Sequence, residues 1–264
     1  KNKGLGAKVI ISGGGRCNLT TGIEDVSVVL KKYPRGSRFL KHAMYAMDPK
    51  MVRQFFEDLG VATKCEPDMR VFPVSDDGAD VVAAFENYFD SMDVDVDVKL
   101  ATQIIKVEKV GSEFLLYKKN DQVGKFDKLI ITTGGQAYRH TGSTGDGYSF
   151  AESLGHSVTR LGPSLNSFVI DDSLLKDLSG VSLKNVVLKA CCAEKKKHIE
   201  NGPILITHKG LTGPVVFAMS ANLSFCEFDA DKPWSLFVDF VCDYSLSELE
   251  QEYLKFLANS PKII

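Results

Sequence analysis

The residues of this 264-residue chain that are best suited to chemistry lie in two glycine-rich stretches. The first, residues 12–18, contains three consecutive glycines followed by Arg16, and it comes after the β-branched run at 9–11. Glycine adopts positive φ easily and lets a ligand approach the backbone closely. The N–H groups of such a turn can form an anion-binding nest, to which Arg16 would add a permanent positive charge. The sequence therefore predicts a buried strand that ends in a ligand-binding turn, and the alternative is a tight turn that binds nothing.

The first stretch matches neither of two common phosphate-binding motifs. It is not a Walker A loop, because no Gly-Lys-Ser or Gly-Lys-Thr follows the glycines. It is not a G-x-G-x-x-G fingerprint either, because Asn18 stands where the third glycine belongs and no helical pattern follows.

The second stretch, residues 133–147, begins with Thr133-Gly134-Gly135 and ends with Gly142-Ser143-Thr144-Gly145-Asp146-Gly147. It follows another apolar run, 129–132, which also predicts a strand. Two parallel strands bring the turns after them to one edge of a sheet, where open α/β sheets bind ligands. Asp146 is predicted to cap a helix over 147–154, whose free N–H groups would favour an anionic partner.

Bulk properties exclude several classes of protein. The formal net charge is −2, which gives no indication of a nucleic-acid partner or an anionic membrane surface. No apolar run reaches the roughly 18 residues of a membrane span, and no signal peptide is recognisable. The six cysteines form no C-x-x-C pair, so no metal site is predicted, and reduced thiols favour a cytoplasmic protein. In the vicinal pair Cys191-Cys192, adjacent strand residues point to opposite faces, which predicts two ordinary thiols rather than a redox pair.

Five segments, in this order, carry a resemblance to a known family. They are Ser12-Gly13-Gly14-Gly15-Arg16-Cys17-Asn18-Leu19-Thr20, Arg70-Val71-Phe72-Pro73, Thr133-Gly134-Gly135, Thr141-Gly142-Ser143-Thr144-Gly145-Asp146-Gly147-Tyr148 and Thr207-His208-Lys209-Gly210-Leu211-Thr212-Gly213-Pro214. Together they resemble the BaiN/YhiN-like (aminoacetone-oxidase-like) family of NAD(P)/FAD-dependent oxidoreductases. The resemblance covers nearly all of the chain.

The resemblance implies a flavoprotein oxidoreductase that binds FAD, takes electrons from NAD(P)H and acts on a small ketone, enone or amine. It assigns no catalytic acid or base. From the residues alone, Arg70 is an ordinary surface arginine and His208 is a structural histidine, but the family motifs place both on the substrate side. The residues that it implies at the cofactor are Ala7, Lys8, Ser12, Gly13, Gly14, Gly15, Arg16, Cys17, Asn18, Ile104, Thr133, Gly134, Gly135, Gly145, Asp146 and Gly147.

The pattern of elements predicts an α/β fold in three parts. Residues 1–160 would form part of a glutathione-reductase-type, Rossmann-like FAD-binding domain, with helices over 37–47, 49–59 and 77–92 whose aromatic and methionine stripes face the core. A strand at 94–98 and an antiparallel β-meander over 104–126 would follow. Residues 161–243 would form an inserted, small, barrel-like β-rich domain, with 215–219 as one of its strands. Residues 244–264 would begin a helical subdomain, opened by a capping box at Ser245 and Glu248.

Two expectations about function remain open at this point. In the resembling family a G-x-G-x-x-G unit comes first and another flavin-contacting segment comes last, and we expect both to lie outside these 264 residues. The first hypothesis is therefore the larger part of an FAD-dependent oxidoreductase with a small-molecule substrate and no nucleic-acid or membrane partner. The alternative is a cofactor-free fragment that serves as a non-enzymatic binding module. The oligomeric state is not predicted.

Overall fold

The computed structural model describes residues 1–119, 121–191, 197–229, 231 and 233–259, so Asn120 and Cys192 lie outside the described residues. The chain forms two compact units, Lys1–Thr159 and Arg160–Ile264, and each is described here by itself. The three-domain division predicted from sequence stays a prediction, because compactness alone does not show independent folding. Within the described ranges, no helix is both long enough and apolar enough to cross a membrane.

The first unit contains helices around two small antiparallel sheets. The strands β1 (Thr20–Thr21), β2 (Thr63–Cys65) and β3 (Arg70–Pro73) pair in the order β1-β3-β2, and β4 (Lys106–Val110), β5 (Glu113–Tyr117) and β6 (Gln122–Phe126) form the predicted meander. The helices are α1 (Ala7–Ile11), α2 (Val26–Lys31), α3 (Ser37–Ala46), α4 (Pro49–Asp58), α5 (Gly78–Ser91) and α6 (Asp146–Ser153).

Two of these helices begin where local sequence signals predict. The Asp48 side chain accepts a hydrogen bond from the Met51 N–H, and Pro49 occupies the first turn of α4. The Asp77 side chain accepts a hydrogen bond from the Ala79 N–H at the start of α5. Such caps satisfy backbone donors that have no partner within the helix.

The buried strand predicted at 9–11 is wrong. These residues belong to the five-residue helix α1, which packs against α5, and the side chains of Ile10 and Ile11 are exposed. A strand needs a neighbour for its backbone N–H and C=O groups. Among the described residues, every strand of the first unit pairs elsewhere.

The strands predicted at 94–98 and 129–132 are also absent from the described structure, where both segments are irregular. Ile130 is 84% exposed, and Val94 and Val96 are exposed as well. The apolar pattern was present in both segments, but neither has a ladder partner among the described residues. The prediction that one face of α3 packs into the core is wrong in part, because Phe39 on that face projects into solvent.

The second unit is built on one five-stranded antiparallel sheet. Its strands are β7 (Phe168–Val169), β8 (Ser182–Cys191), β9 (Lys197–Thr207), β10 (Gly210–Thr212) and β11 (Ser235–Asp239), in the spatial order β11-β8-β9-β10-β7. The helix α7 (Pro214–Leu223) packs on this sheet, and α8 (Leu246–Asn259) ends the described chain.

The strand predicted at 215–219 is wrong, because these residues form part of α7. Gly213 precedes the helix and Pro214 lies in its first turn, where its missing N–H costs nothing. Since Val215, Val216, Met219 and Leu223 are all buried under the sheet, the apolar run resembles a buried strand. Periodicity alone does not distinguish a buried helix from a buried strand.

The capping box at the start of α8 is confirmed. The backbone N–H of Ser245 donates to Glu248 Oε2 at 2.8 Å, and the backbone N–H of Glu248 donates to Ser245 Oγ at 3.4 Å. Ser245 and Glu248 are only three positions apart, which is why the sequence alone could predict their hydrogen bonds.

Candidate functional site

A cavity of about 390 Å³ in the first unit is the candidate site, and we call it the amino-terminal cavity. Its volume lies within the range of small-molecule sites, roughly 300–1,000 Å³. Four segments surround it, and the residues that line it are Lys1, Asn2, Gly4, Leu5, Gly6, Val98, Lys99, Leu100, Thr102, Gln103, Ile104, Thr133, Thr141, Gly142, Ser143, Asp146 and Phe150.

Asn2 joins three of these segments. Its side-chain Nδ2 donates to the Thr141 carbonyl at 2.8 Å, and its own carbonyl accepts from the Ala101 N–H at 2.7 Å. Gly142 has a φ of +93°, and a Cβ there would lie 2.6 Å from Asn2 Oδ1. Glycine is therefore required at 142 both by its backbone conformation and by the close approach of Asn2.

Asp146 is held at the cavity by two donors. Its carboxylate accepts from Lys1 Nζ at 2.8 Å and from Thr144 Oγ1 at 2.7 Å. These hydrogen bonds, the one from Lys1 first, lower the pKa of Asp146 below its usual value, so it is ionised at neutral pH. Asp146 is not the N-cap that the sequence predicted, because Gly145 occupies that position and Asp146 lies in the first turn of α6.

The two halves of the second glycine stretch pack against each other. A Cβ on Gly135 would lie 3.3 Å from the Tyr148 hydroxyl, and one on Gly134 would lie 3.5 Å from Ser143 Oγ. Gly145 similarly lies beside Tyr148 and Gln136. The structure thus brings 133–136 and 143–148 together beside the cavity.

Three of the predicted cofactor residues, Ile104, Thr133 and Asp146, line the cavity itself. Four other predicted cofactor residues are sequence neighbours of Thr133 or Asp146 and shape the turns around the cavity: Gly134, Gly135, Gly145 and Gly147. Their predicted contact with a cofactor stays a prediction.

The first glycine stretch does not line this cavity. Its turn is closed by a hydrogen bond from the Cys17 N–H to the Ser12 carbonyl at 3.0 Å, and Ser12 Oγ donates to the Val9 carbonyl. The predicted adenosine-side pair Ala7 and Lys8 lies on α1, where Lys8 Nζ donates to the Ala137 carbonyl at 2.9 Å. This hydrogen bond links α1 to the second glycine stretch.

The three glycines of the first stretch all have positive φ, at +58°, +73° and +93°. A Cβ on Gly13 would lie 2.8 Å from the Asn18 backbone nitrogen and 2.9 Å from the Phe72 ring, so the exposed Gly13 has no room for a side chain. A Cβ on Gly14 or Gly15 would meet nothing within 4 Å. The backbone at Gly14 and Gly15 is therefore accessible to a ligand.

Arg16 and Arg70 belong to one charge network around Phe72. Arg16 Nη1 lies 2.6 Å from Glu66 Oε1 and 3.4 Å from Asp76 Oδ1, and its guanidinium carbon lies 3.8 Å from the centre of the Phe72 ring. The hydrogen bond to Glu66 raises the pKa of Arg16. Arg70 Nη2 lies 3.5 Å from the same Glu66 carboxylate. The structure thus joins one predicted cofactor residue to one predicted substrate-side residue.

The surroundings of Cys17 and Asn18 indicate that both residues stabilise the fold. Burial raises the pKa of the Cys17 thiol, opposite to the lowering that a neighbouring cation could cause, so Cys17 is protonated at neutral pH. The Asn18 carboxamide, oriented to satisfy its neighbours, donates to the Thr20 and Val71 carbonyls at 2.9 and 3.2 Å. Asn18 therefore links the glycine turn to β3, and Cys17 belongs to the buried cluster around Phe56 and Val81.

His208, the other predicted substrate-side residue, lies in the exposed turn between β9 and β10 of the second unit. Among the residues that the structure describes, no group of three or more His, Cys, Asp or Glu side chains is placed to hold a metal ion.

The second unit has its own cavity, of about 740 Å³. Trp234 is central to it: the indole Nε1 donates to the Glu227 carbonyl at 2.8 Å, and the ring makes edge contacts with Phe168 and Phe228 at 6.5 and 5.4 Å. Arg160 and Asn166 also line it. Its aromatic walls suit an apolar ring system.

Sequence reasoning missed most of the cavity wall. Residues 1–6 and 98–103 carry no motif, and only the tertiary fold brings them to Asp146. The sequence could have identified Thr141 and Ser143, which are both buried, because they belong to the family motif at 141–148.

Comparison with known proteins identifies the family. The family model described as "HI0933-like protein Rossmann domain" matches residues 1–212, and the model described as "HI0933-like protein barrel and H2TH domain" matches residues 162–263. The chain belongs to the HI0933-like family. This confirms the resemblance to BaiN/YhiN-like proteins and the predicted fold class of a Rossmann-like domain with a barrel-like domain.

Curated relatives of this HI0933-like chain carry two different names. The 3-dehydro-bile acid delta(4,6)-reductase of Clostridium scindens is 24% identical over 99% of this chain and 62% of the relative. The ribosomal RNA dihydrouridine synthases of Escherichia coli and Haemophilus influenzae are 29% and 28% identical over 84% and 83% of this chain and 54% and 53% of the relatives. The chain thus spans between about half and two thirds of the length of these relatives.

Proposed function

We propose that this chain is the flavin-binding part of an FAD-dependent oxidoreductase that saturates a carbon–carbon double bond conjugated to a carbonyl group, with NADH or NADPH as the electron donor. One observation carries the proposal. The relatives' names describe different substrates, a bile acid and ribosomal RNA, but a common reaction. A 3-dehydro, delta(4,6) steroid has double bonds conjugated to a 3-oxo group, and dihydrouridine is uridine with the ring double bond next to a carbonyl reduced.

The residues of the amino-terminal cavity fit the polar part of FAD. The cavity presents the Thr133 and Ser143 hydroxyls, the ionised Asp146 carboxylate and the Lys1 ammonium. A carboxylate has about four lone-pair positions, so Asp146 can accept from a ligand hydroxyl in addition to Lys1 and Thr144. Ile104 and Phe150 provide an apolar wall.

The first glycine turn fits a backbone contact with the same ligand. Gly14 and Gly15 leave open space where side chains would stand, and left-handed glycines can direct successive N–H groups toward an anion. FAD bound there and reduced by NADH or NADPH would supply the hydride that such a reduction needs. Arg16 acts through Glu66 and Phe72, and it holds the turn in place.

Arg70 in the first unit and His208 in the second are two separate substrate-side candidates. The Arg70 guanidinium is exposed and always charged, so it can donate a hydrogen bond to a substrate carbonyl and polarise the conjugated bond. His208 is exposed on its turn and available to a substrate. No residue is assigned as the proton donor.

The test is turnover of a conjugated substrate. Purified chain is incubated anaerobically with FAD, NADH or NADPH, and either a cyclic enone or the matching alkene without the carbonyl. The expected result is consumption of the enone alone, with a product heavier by two hydrogens in mass spectrometry. In a parallel aerobic reaction, oxidation of NAD(P)H that requires oxygen and leaves the enone intact would overturn the proposal in favour of an oxidase. Absence of FAD binding together with absence of turnover would favour the binding module.

A variant pair tests the cavity separately. Asp146→Asn removes the charge that accepts from ligand hydroxyls, and hydrogen bonds to charged groups contribute about 1.5–3 kcal/mol. We expect FAD affinity to fall at least about tenfold, while Asp127→Asn at an exposed position leaves it unchanged. Equal affinities for the two variants would show that the amino-terminal cavity does not hold the cofactor.

Uridine in RNA is the second candidate substrate, favoured by the two dihydrouridine synthases among the relatives. It shares the conjugated double bond with the enone. A parallel reaction with a uridine-containing oligonucleotide in place of the enone, read by mass, distinguishes the two substrates.

A further inference from the structure

Glu66 lies in the tight turn that joins β2 to β3, directly after Cys65. Its backbone N–H donates to the Arg70 carbonyl at 2.8 Å, and its carbonyl accepts from the Met69 N–H at 2.9 Å. Because both backbone groups are paired, the main chain at Glu66 is held in one conformation. The carboxylate is therefore presented from a well-defined hairpin turn.

The two carboxylate oxygens of Glu66 contact two different arginines. Oε1 accepts a hydrogen bond from Arg16 Nη1 at 2.6 Å, and Oε2 lies 3.5 Å from Arg70 Nη2. Arg16 directly follows the three glycines of the first glycine turn, whereas Arg70 is the first residue of β3. A carboxylate has about four acceptor positions on its two oxygens, so it can serve both cations at once. Glu66 thus links the first glycine turn to the start of β3.

The Phe72 ring supports both guanidinium groups. The guanidinium carbons of Arg16 and Arg70 lie 3.8 and 5.2 Å from the centre of this ring, and Phe72 itself is completely buried. A cation over the face of an aromatic ring is attracted by the electrons of the ring. Because Phe72 is packed in the interior, its ring stays in place when a side chain above it moves. Glu66 therefore holds two arginines that both rest on one fixed ring.

We propose that Glu66 is a positioning residue that aligns the first glycine turn with the Arg70 guanidinium. The inference rests on the proposed function, in which the turn contacts FAD and Arg70 contacts the substrate carbonyl. A displacement of about 1 Å between reacting groups can lower a rate by about 100-fold, so a single carboxylate that aligns both sides of the site has a large effect on the reaction. In this role Glu66 acts through the two arginines and not on the ligands.

Two neighbouring aspartates each contact one of the two arginines, and they provide internal comparisons. Asp76 Oδ1 lies 3.4 Å from Arg16 Nη1, and Asp68 Oδ2 accepts from Arg70 Nε at 2.6 Å. Replacing a carboxylate by the matching amide keeps the size of the side chain but leaves one acceptor oxygen and adds two N–H donors. Glu66→Gln can therefore accept from one arginine while it turns N–H groups toward the other.

The first experiment measures FAD affinity by titration and kcat/KM for the enone at saturating FAD. Because these carboxylates are partly exposed, each lost contact should change the measured value by about threefold to fivefold. Glu66→Gln should lower both values, Asp76→Asn only the FAD affinity, and Asp68→Asn only kcat/KM. Glu86→Gln, at an exposed position on α5, is the matched control and should change neither. A loss of only one value in Glu66→Gln would overturn the joint role.

A second measurement needs neither FAD nor substrate, so it separates this inference from the proposed function. Amide hydrogen exchange, read by mass spectrometry, reports how often the N–H groups of residues 12–18 open to solvent. Release of Arg16 in Glu66→Gln should speed exchange of this segment at least about threefold, while Asp68→Asn leaves it unchanged. Unchanged exchange in Glu66→Gln would overturn the inference even if FAD binds. Faster exchange in a chain that binds no FAD would support the role of Glu66 and contradict the proposed function alone.

Discussion

Two isoleucine-containing runs in the two units have opposite environments. In the second unit, Ile204 and Ile206 lie on β9 with 1% of their surface exposed, between neighbouring strands and beneath α7. In the first unit, Ile130 is 84% exposed on an irregular segment. The two runs look alike in sequence, so the difference shows that a paired neighbour and a covering helix, rather than composition, make an apolar run into a core strand.

The units also differ in how they are held together. In the second unit a continuous apolar core joins four elements, with Val186, Leu188, Ile204, Val216 and Met219 almost completely buried. In the first unit the cluster around Phe56 and Val81 is smaller, and caps, glycine turns and ion pairs add to it. We therefore expect apolar truncations to act most strongly in the second unit.

The largest expected effect comes from Ile206→Ala. Truncation of a fully buried isoleucine costs about 2–5 kcal/mol of unfolding free energy, because it removes apolar contacts and leaves a cavity. Denaturant unfolding followed by the fluorescence of Trp234, the single tryptophan, measures the second unit directly. Ile199→Ala, at an exposed position on the same strand, is the control and should stay within about 0.5 kcal/mol. Similar losses in both variants would contradict the distinction between buried and exposed positions.

The next effect tests the first glycine turn. Gly14→Ala should cost about 1–2 kcal/mol, because an L-residue is strained at φ +73°. Gly13→Ala should cost about 1–3 kcal/mol more, since its methyl group would meet the Asn18 backbone and Phe72. Urea unfolding followed by far-UV circular dichroism compares the two. An equal cost would mean that the close packing of Gly13 on Phe72 does not contribute.

A smaller effect concerns the two cysteines of the first unit. Because burial raises the pKa of Cys17 and shields it, whereas Cys65 is exposed, iodoacetamide at about pH 8 should label Cys65 at least about tenfold faster. Mass spectrometry of peptides after timed quenching measures both rates. Faster labelling of Cys17 would contradict its buried position behind the glycine turn.

The smallest effect is at Asp146. The lowered pKa of Asp146 means that its contribution to stability is present above the unfolded pKa, about 3.9, and is lost as the pH falls through the lower folded pKa. Asp146→Asn should therefore cost less than about 1 kcal/mol at pH 7, constant down to about pH 5 and shrinking below about pH 4. Urea unfolding across this range measures the difference. A difference that grows on acidification would contradict the ion pair with Lys1.

The sequence predicted the local features of the fold correctly and the long-range ones less well. Asp48 before Pro49 and the Ser245–Glu248 capping box predicted helix starts from a few neighbouring residues, so spacing was sufficient there. The strands expected at 9–11 and 129–132 required partners that spacing does not specify. Residues 215–219 were assigned to a strand because a helix buried on all sides has no amphipathic period.

The same division applies to the candidate site. The motif residues Thr133 and Asp146 were predicted, and they line the amino-terminal cavity together. Lys1, Asn2 and residues 98–103 complete the cavity through tertiary contacts such as the hydrogen bond from Asn2 to Thr141, which no local pattern encodes. Arg16 and Arg70 were predicted separately, and only the structure shows that they share Glu66.

The central claim is that the first unit binds FAD, and an absorption titration of the purified chain tests it most directly. The chain is mixed with FAD and desalted, and its visible spectrum is recorded beside that of the Asp146→Asn variant. We predict oxidised-flavin bands that stay with the protein at close to one flavin per chain and are weaker in the variant. A colourless protein fraction, with all the flavin in the small-molecule fraction, would contradict the claim.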